Sequence, residues 1–188
     1  MKRVHLIVLP ALFITSCHSS KKAFLESQSH SESVQWPTEY APSEADFFVH
    51  NYIDIEASPE TVWSIVIDAM SWSEYYDGAS EVQLDSTNSG MLELGTVIHW
   101  VTMGFDFKST VVQYEPYKRL AWESYRSNMN GYHAWLIIPT TTGCRLITDE
   151  SQNGSLARVE RIFQPYKLER LHGEWLEGIK IRAEAAKD

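Results

Sequence analysis

The last stretch of the chain, Pro165 to Ala186, sets the terms for everything before it. Leu168, Leu171, Trp175, Ile179 and Ala183 recur at steps of three and four, which puts them on one face of a helix. Lys167, Glu169, Arg170, Glu174, Glu177 and Lys180 fall mostly on the other face. Pro165 suits the first helical turn, where a missing N–H leaves no bond unmade. A rod of about 22 residues reaches roughly 33 Å, enough to cross a small domain. Such a helix, with a Trp on its inner face, needs a broad apolar surface to lie against.

The preceding segments offer one. Phe47 to Glu56 alternates Val49, Asn51, Ile53 and Ile55 with His50, Tyr52, Asp54 and Glu56, the pattern of a half-buried strand. Ser58-Pro59-Glu60 then opens a helix, with Ser58 as cap, Pro59 in the first turn and Glu60 at the positive end of the dipole. Val62, Trp63, Val66 and Ile67 form its apolar side. A second short helix is expected over 71–76, ending at Asp77-Gly78. Six strands follow, over 80–85, 94–103, 107–114, 119–126, 132–138 and 144–151. The clearest turn between them is Asn128-Met129-Asn130-Gly131. Short connections predict an antiparallel meander. Asn153-Gly154-Ser155 opens a further helical stretch carrying Leu156, Val159, Ile162 and Phe163.

The expected fold class is therefore α+β: a seven-stranded curved antiparallel sheet around a long C-terminal helix, with two short helices after the first strand. A cavity left between sheet and helix, open near the two short helices, is the expected functional site. A small-molecule pocket there should exceed about 300 Å³.

The other end of the chain reads as an address. Lys2 and Arg3 precede an apolar run from Val4 to Ile14, broken by Pro10. That run is too short to span a bilayer and suits a signal-peptide core. It ends in Ile14-Thr15-Ser16-Cys17, which resembles the bacterial lipoprotein box. The resemblance implies cleavage after residue 16, lipidation of Cys17 and attachment to a membrane of the cell envelope. His18, rather than Asp, follows the cysteine, which implies the outer membrane if the host is Gram-negative. The second cysteine, Cys144, is then a lone thiol, with a Cys17–Cys144 bridge as the competing arrangement. Residues 17–46 are rich in Ser, Gln, Glu and Lys and carry Pro37 and Pro42, so they read as a flexible tether on which Trp36 and Tyr40 pack locally. The body is 47–188. A net charge of −9 disfavours nucleic acid as a partner, because a phosphate backbone needs a basic face.

Several short motifs carry a resemblance. They are Ile55-Glu56-Ala57-Ser58-Pro59-Glu60-Thr61-Val62-Trp63, Asp68 with Trp72 and Tyr76, and Leu94-Gly95-Thr96. Arg119-Leu120-Ala121-Trp122, Gly143 to Glu150, and Leu176-Glu177-Gly178-Ile179-Lys180 with Ala183-Glu184 complete the set. In order and spacing they resemble the START-like superfamily (SRPBCC, helix-grip), and most closely its polyketide cyclase/dehydrase branch. The resemblance covers roughly residues 47–186. It implies a pocket for an apolar or amphipathic, lipid-like small molecule between sheet and helix. Only some members are enzymes, so fold alone does not decide the activity.

The sequence holds no nucleophile elbow, P-loop, dinucleotide fingerprint or paired-cysteine motif. No two of His50, His99, His133 and His172 have metal-ligand spacing, so no metal and no cofactor is expected. Period-two alternation puts His99 and Glu123 on the outer face, opposite Trp100 and Trp122. His133 shares parity with Trp135, and Glu150 with Leu146 and Thr148, so these two are the inward polar candidates for proton transfer. An inward Glu150 should pair with Arg126 or Arg158, or titrate high. No catalytic residue is assigned beyond them. Trp72, Tyr76, Trp100, Trp122, Trp135, Leu171 and Trp175 are the expected pocket wall. Three functions fit: an envelope lipoprotein binding a hydrophobic molecule, a cyclase/aromatase-like enzyme, and a structural lipoprotein with a filled cavity.

Overall fold

A computed structural model describes residues 20–85 and 87–186. The expected signal peptide and Cys17 lie outside the described residues. The body opens with strand β1 (Phe47–Ile55), followed by helix α1 (Pro59–Ile67) and a 3-10 helix over Ala69–Glu74. Strands β2 (Ala79–Asp85), β3 (Val97–Thr102), β4 (Phe105–Glu115), β5 (Arg119–Arg126), β6 (Met129–Pro139) and β7 (Cys144–Asn153) come next. Helices α2 (Ser155–Phe163) and α3 (Lys167–Ala185) close the chain.

The strands form one antiparallel sheet in the order β1-β7-β6-β5-β4-β3-β2. The meander from β2 to β7 returns beside β1, which pairs with β7 from Phe47↔Gln152 to Ile55↔Cys144. Irregular register in β2 at Ser80/Gln83 and in β4 at Val111/Gln113 adds local twist, which helps the sheet curl. The concave face receives α3, whose Leu168, Leu171, Trp175, Ile179 and Ala183 are buried as the spacing predicts. Gly178 lets the helix cross closely, since a Cβ there would lie 2.7 Å from the Tyr75 carbonyl oxygen.

Local signals hold up well in α1. Ser58 caps it by accepting from the Thr61 N–H at 3.2 Å, with Pro59 inside the first turn. Several boundaries differ from expectation. The β5–β6 turn is Ser127-Asn128, with Arg126 paired to Met129, so Met129, Asn130 and Gly131 already belong to β6. Asn128 supplies the positive φ of 69° that this tight turn needs. The second short helix starts earlier, at Ala69. Pro165 lies in the connection before α3, which begins at Lys167.

The flexible tether expected over 17–46 is corrected for its described part. Residues 20–27 are helical, and the stretch after them lies on the outer face of the sheet. Val34 and Tyr40 are buried in a second core with Ala121, Tyr132, Leu136 and Ile147. The Trp36 ring sits 5.8 Å from Phe48 and 5.5 Å from Tyr132. Glu32 accepts a bond from Arg119 at 2.9 Å. The polar composition that reads as a linker hides three aromatic and aliphatic anchors at wide spacing. Among the described residues, no helix is long and apolar enough to cross a membrane.

Candidate functional site

A cavity lies between the concave face and α3. Thr102 and Met103 at the β3–β4 hairpin, Met129 on β6 and Leu168 at the start of α3 are among its lining residues. Tyr76, just after the two short helices, also lines it. The cavity is far smaller than expected. Allowing for the radius of a water molecule it offers about 20 Å³. A single water needs about 10–15 Å³ of such room, so one or two fit.

Tryptophans take the rest of the space. The Trp72 ring lies 5.6 Å from Trp100, 5.5 Å from Trp122 and 4.8 Å from Trp175. Trp135 meets Trp175 edge-on at 5.0 Å. These are ordinary tilted and T-shaped packings of aromatic rings. Tyr76, Trp100, Trp122 and Trp175 of the expected wall do line the cavity. Trp72, Trp135 and Leu171 do not; they belong to the hydrophobic core around it. Trp100 donates to Ser109 Oγ at 3.0 Å, and Trp72 donates to the Val66 carbonyl at 3.1 Å. The indole N–H groups of Trp122 and Trp135 are buried without a partner.

The inner end of the cavity is polar. His133 on β6 and Glu150 on β7 are cross-strand partners, and both face inward. His172 reaches the same point from α3. Glu150 Oε2 lies 3.3 Å from His133 Nδ1 and 3.1 Å from His172 Nε2. Gln152 donates to Glu150 Oε1 at 2.7 Å, and Thr148 Oγ1 sits 2.7 Å from His133 Nε2. Both ring nitrogens of His133 are satisfied if Thr148 donates to Nε2 and His133 donates from Nδ1 to Glu150. His172 donates from Nε2, while its buried Nδ1 has no partner.

Electrostatics fix the charges. Burial pushes the Glu150 carboxyl up, but the hydrogen bond from His172 and the attraction of His133 outweigh it, and its pKa falls to about 2. Burial takes His133 down to about 3, against the pull of Glu150. At neutral pH the carboxylate is ionised and the His133 ring neutral. The expected partners of Glu150 were wrong: neither Arg126 nor Arg158 reaches it, and it titrates low rather than high. Arg158 is bound instead to Asp46 at 2.8 Å.

Of the outer-face pair, His99 lies near Asp85 at 3.2 Å and is half-exposed. Glu123 accepts from the exposed Tyr125 hydroxyl. Neither comes near the cavity. The residue that motif reading missed is His172. The signal was there: Leu168, His172 and Trp175 share the inner face at steps of four and three.

Residues 48–183 match the family model described as polyketide cyclase / dehydrase and lipid transport. The chain belongs to this family. Among solved structures, this family member is similar to hypothetical protein jhp0584 from Helicobacter pylori, at 26% identity and a TM-score of 0.77, covering 82% of this chain and 98% of that one. It is also similar to the di-domain ARO/CYC StfQ from the steffimycin biosynthetic pathway, at 12% identity and a TM-score of 0.63. That match covers 75% of this chain and 52% of StfQ, about half its length. A norcoclaurine synthase of Thalictrum flavum shares the fold at 13% identity and a TM-score of 0.59, covering 75% of this chain and 96% of that one. No curated protein matches the chain in sequence.

Proposed function

We propose that this cyclase/dehydrase family member is an envelope lipoprotein that takes a small amphipathic molecule into the sheet–helix cavity. The apolar part of the ligand lies among Tyr76, Trp100 and Trp122, and its polar end meets His133, Glu150 and His172. One observation carries the reading: an ionised carboxylate, largely withdrawn from water, lines an aromatic cavity between two histidines. Taking such a charge out of water has a desolvation cost that its partners must offset, and apolar packing would serve a purely structural core as well. The unpartnered Trp122 indole N–H on the cavity wall adds a donor for a polar guest.

The small cavity volume means that binding requires lining side chains to move, Met103 and Tyr76 first. A filled, structural cavity accounts for the tryptophan packing but leaves the buried carboxylate without a purpose. A cyclase-type acid–base enzyme, as the names of StfQ and the norcoclaurine synthase invite, fares less well. A general base works best with a pKa near the working pH, and both His133 and Glu150 are held far below neutrality.

The attachment rests on the Lys2-Arg3 start, the apolar run and the Ile14-Thr15-Ser16-Cys17 box. The expected product is a chain beginning at Cys17 and carrying lipid there, on the outer membrane in a Gram-negative host. Intact-mass analysis of the membrane-extracted protein checks this. A Cys17→Ser chain that still fractionates with lipid modification would end the lipoprotein reading. Native mass spectrometry of the full chain checks the ligand. A co-purifying adduct that is lost in Trp122→Ala supports the reading. Absence of any adduct, together with unchanged tryptophan fluorescence across a series of fatty acids and polycyclic phenols, overturns it.

A further inference from the structure

We infer that His133, Glu150 and His172 form a three-ligand site for a divalent transition-metal ion of the zinc class, with its open position toward the aromatic cavity. The ligand set is two imidazoles and one carboxylate, a combination that zinc and its first-row neighbours accept with a position left over for water or substrate. The inference concerns the same cavity as the proposed ligand site but needs no organic ligand to be true.

The geometry is that of a site with its protons still in place. The three candidate ligand atoms lie within 4.8 Å of one another. Ligands held ~2.0–2.1 Å from a tetrahedral ion sit roughly 3.3 Å apart. The two distances to Glu150 Oε2 are 3.3 and 3.1 Å. An ion between these atoms takes the place of the two N–H protons that now point at the carboxylate, and each neutral imidazole carries its proton on its other ring nitrogen instead, Nε2 of His133 toward Thr148 Oγ1 and the unpartnered Nδ1 of His172. The three ligands come from β6, β7 and α3, so none depends on a loop. His133 and Glu150 are held in register by the strand pairing itself.

Outer contacts orient the ligands, as they do in known metal sites. Thr148 Oγ1 holds His133 at 2.7 Å through the ring nitrogen that faces away from Glu150. Gln152 holds the second oxygen of Glu150 at 2.7 Å. The His133 ring also stacks on Trp135, at 5.4 Å with an interplanar angle of 17°. His172 has no such outer partner, so it is the ligand that the ion itself must order. The cavity has room for the water that would complete the coordination shell.

The test uses the full chain stripped with chelator and titrated with Zn²⁺ and, separately, Co²⁺. The expected result is one equivalent per chain, with Co²⁺ absorption bands typical of four- or five-fold coordination. Glu150→Gln and His172→Ala should each weaken binding at least tenfold, with circular dichroism confirming that both still fold. Thr148→Val should weaken it about 10–100-fold by freeing the His133 ring. His99→Ala and His30→Ala, which remove the exposed or half-exposed rings among the described residues, should leave the stoichiometry at one. Binding well below one equivalent, or binding that survives Glu150→Gln and disappears with His30→Ala, overturns the site. These readouts are independent of any co-purifying organic adduct, so either proposal can fail alone.

Discussion

The Tyr76 ring stacks flat on the Trp175 indole, centroids 4.4 Å apart and 8° from parallel. This pair joins the segment after the 3-10 helix to α3 and forms part of the cavity wall. Tyr76 also folds over Gly78, where a Cβ would lie 2.1 Å from its ring and its hydroxyl oxygen. Gly78→Ala should therefore push the phenol aside and unstack it. Tyr76→Ala should cost about 3–5 kcal/mol, as large buried rings do, and Gly78→Ala less. Both should raise acrylamide quenching of tryptophan fluorescence and the uptake of an apolar dye. Unchanged quenching in Gly78→Ala would mean that Tyr76 does not hold the cavity shut.

Stability should fall as the medium becomes acidic. His133 titrates at about 3 in the fold against 6.5 when free, so between those values the unfolded chain binds the extra proton and acid favours unfolding. Glu150 falls from 4.5 to about 2, so its contribution is present above 4.5 and is lost toward pH 2. Each group adds at most about 1.4 kcal/mol per pH unit within its window. Asp149, raised by burial against the pull of His50, works the other way: its contribution is lost as pH rises through its folded value. Comparing His133→Phe with the parent cancels the Asp149 effect. Urea midpoints between pH 4.5 and 6.5 should then slope less in the variant, and equal slopes would show that His133 is not buried neutral.

Much of this fold is legible because two periodicities do most of the specifying. Alternation in β5 places Trp122 inward and Glu123 outward, and the i, i+3, i+4 pattern fixes the buried face of α3. What sequence does not carry is how completely side chains fill the space between two well-predicted surfaces. Trp72 has the right type for a wall and Trp100 the right parity and type, yet the crossing of α3 brings Trp175 into the gap they would leave. Metal-ligand spacing fails for a related reason. His133 and Glu150 meet through strand register and His172 through the helix crossing, and neither relation is a short distance along the chain. Residues 30–45 mislead in the opposite direction, since Trp36 and Tyr40 bind a polar segment to the sheet through few contacts.

The Ser109 hydroxyl sits between Trp100 Nε1 at 3.0 Å and Ser124 Oγ at 2.8 Å. All three groups are buried. Ser109→Ala removes the acceptor and strands an indole N–H in the core. The expected cost is about 1–3 kcal/mol by urea denaturation, the usual penalty for an unsatisfied buried donor. Ser109→Thr, which keeps the oxygen, should recover part of it. A loss of the same size in both variants would assign the effect to packing rather than to the hydrogen bond.

On the outer face, His50 Nδ1 lies 2.5 Å from Asp149 Oδ1, and its Nε2 lies 3.0 Å from His30. Asp149 and His50 are almost wholly buried, under the same N-terminal segment that carries Trp36. Strand β1 supplies one partner and β7 the other, as direct cross-strand neighbours. Replacing His50 alone leaves a carboxyl stranded in the sheet, and removing one member of a buried pair typically costs about 3–5 kcal/mol. Replacing both by apolar residues removes the desolvation penalty along with the attraction. His50→Leu and Asp149→Leu should each be strongly destabilising in urea denaturation, while the double variant should lie closer to the parent than either. Additive losses in the double variant would show that the two groups act independently.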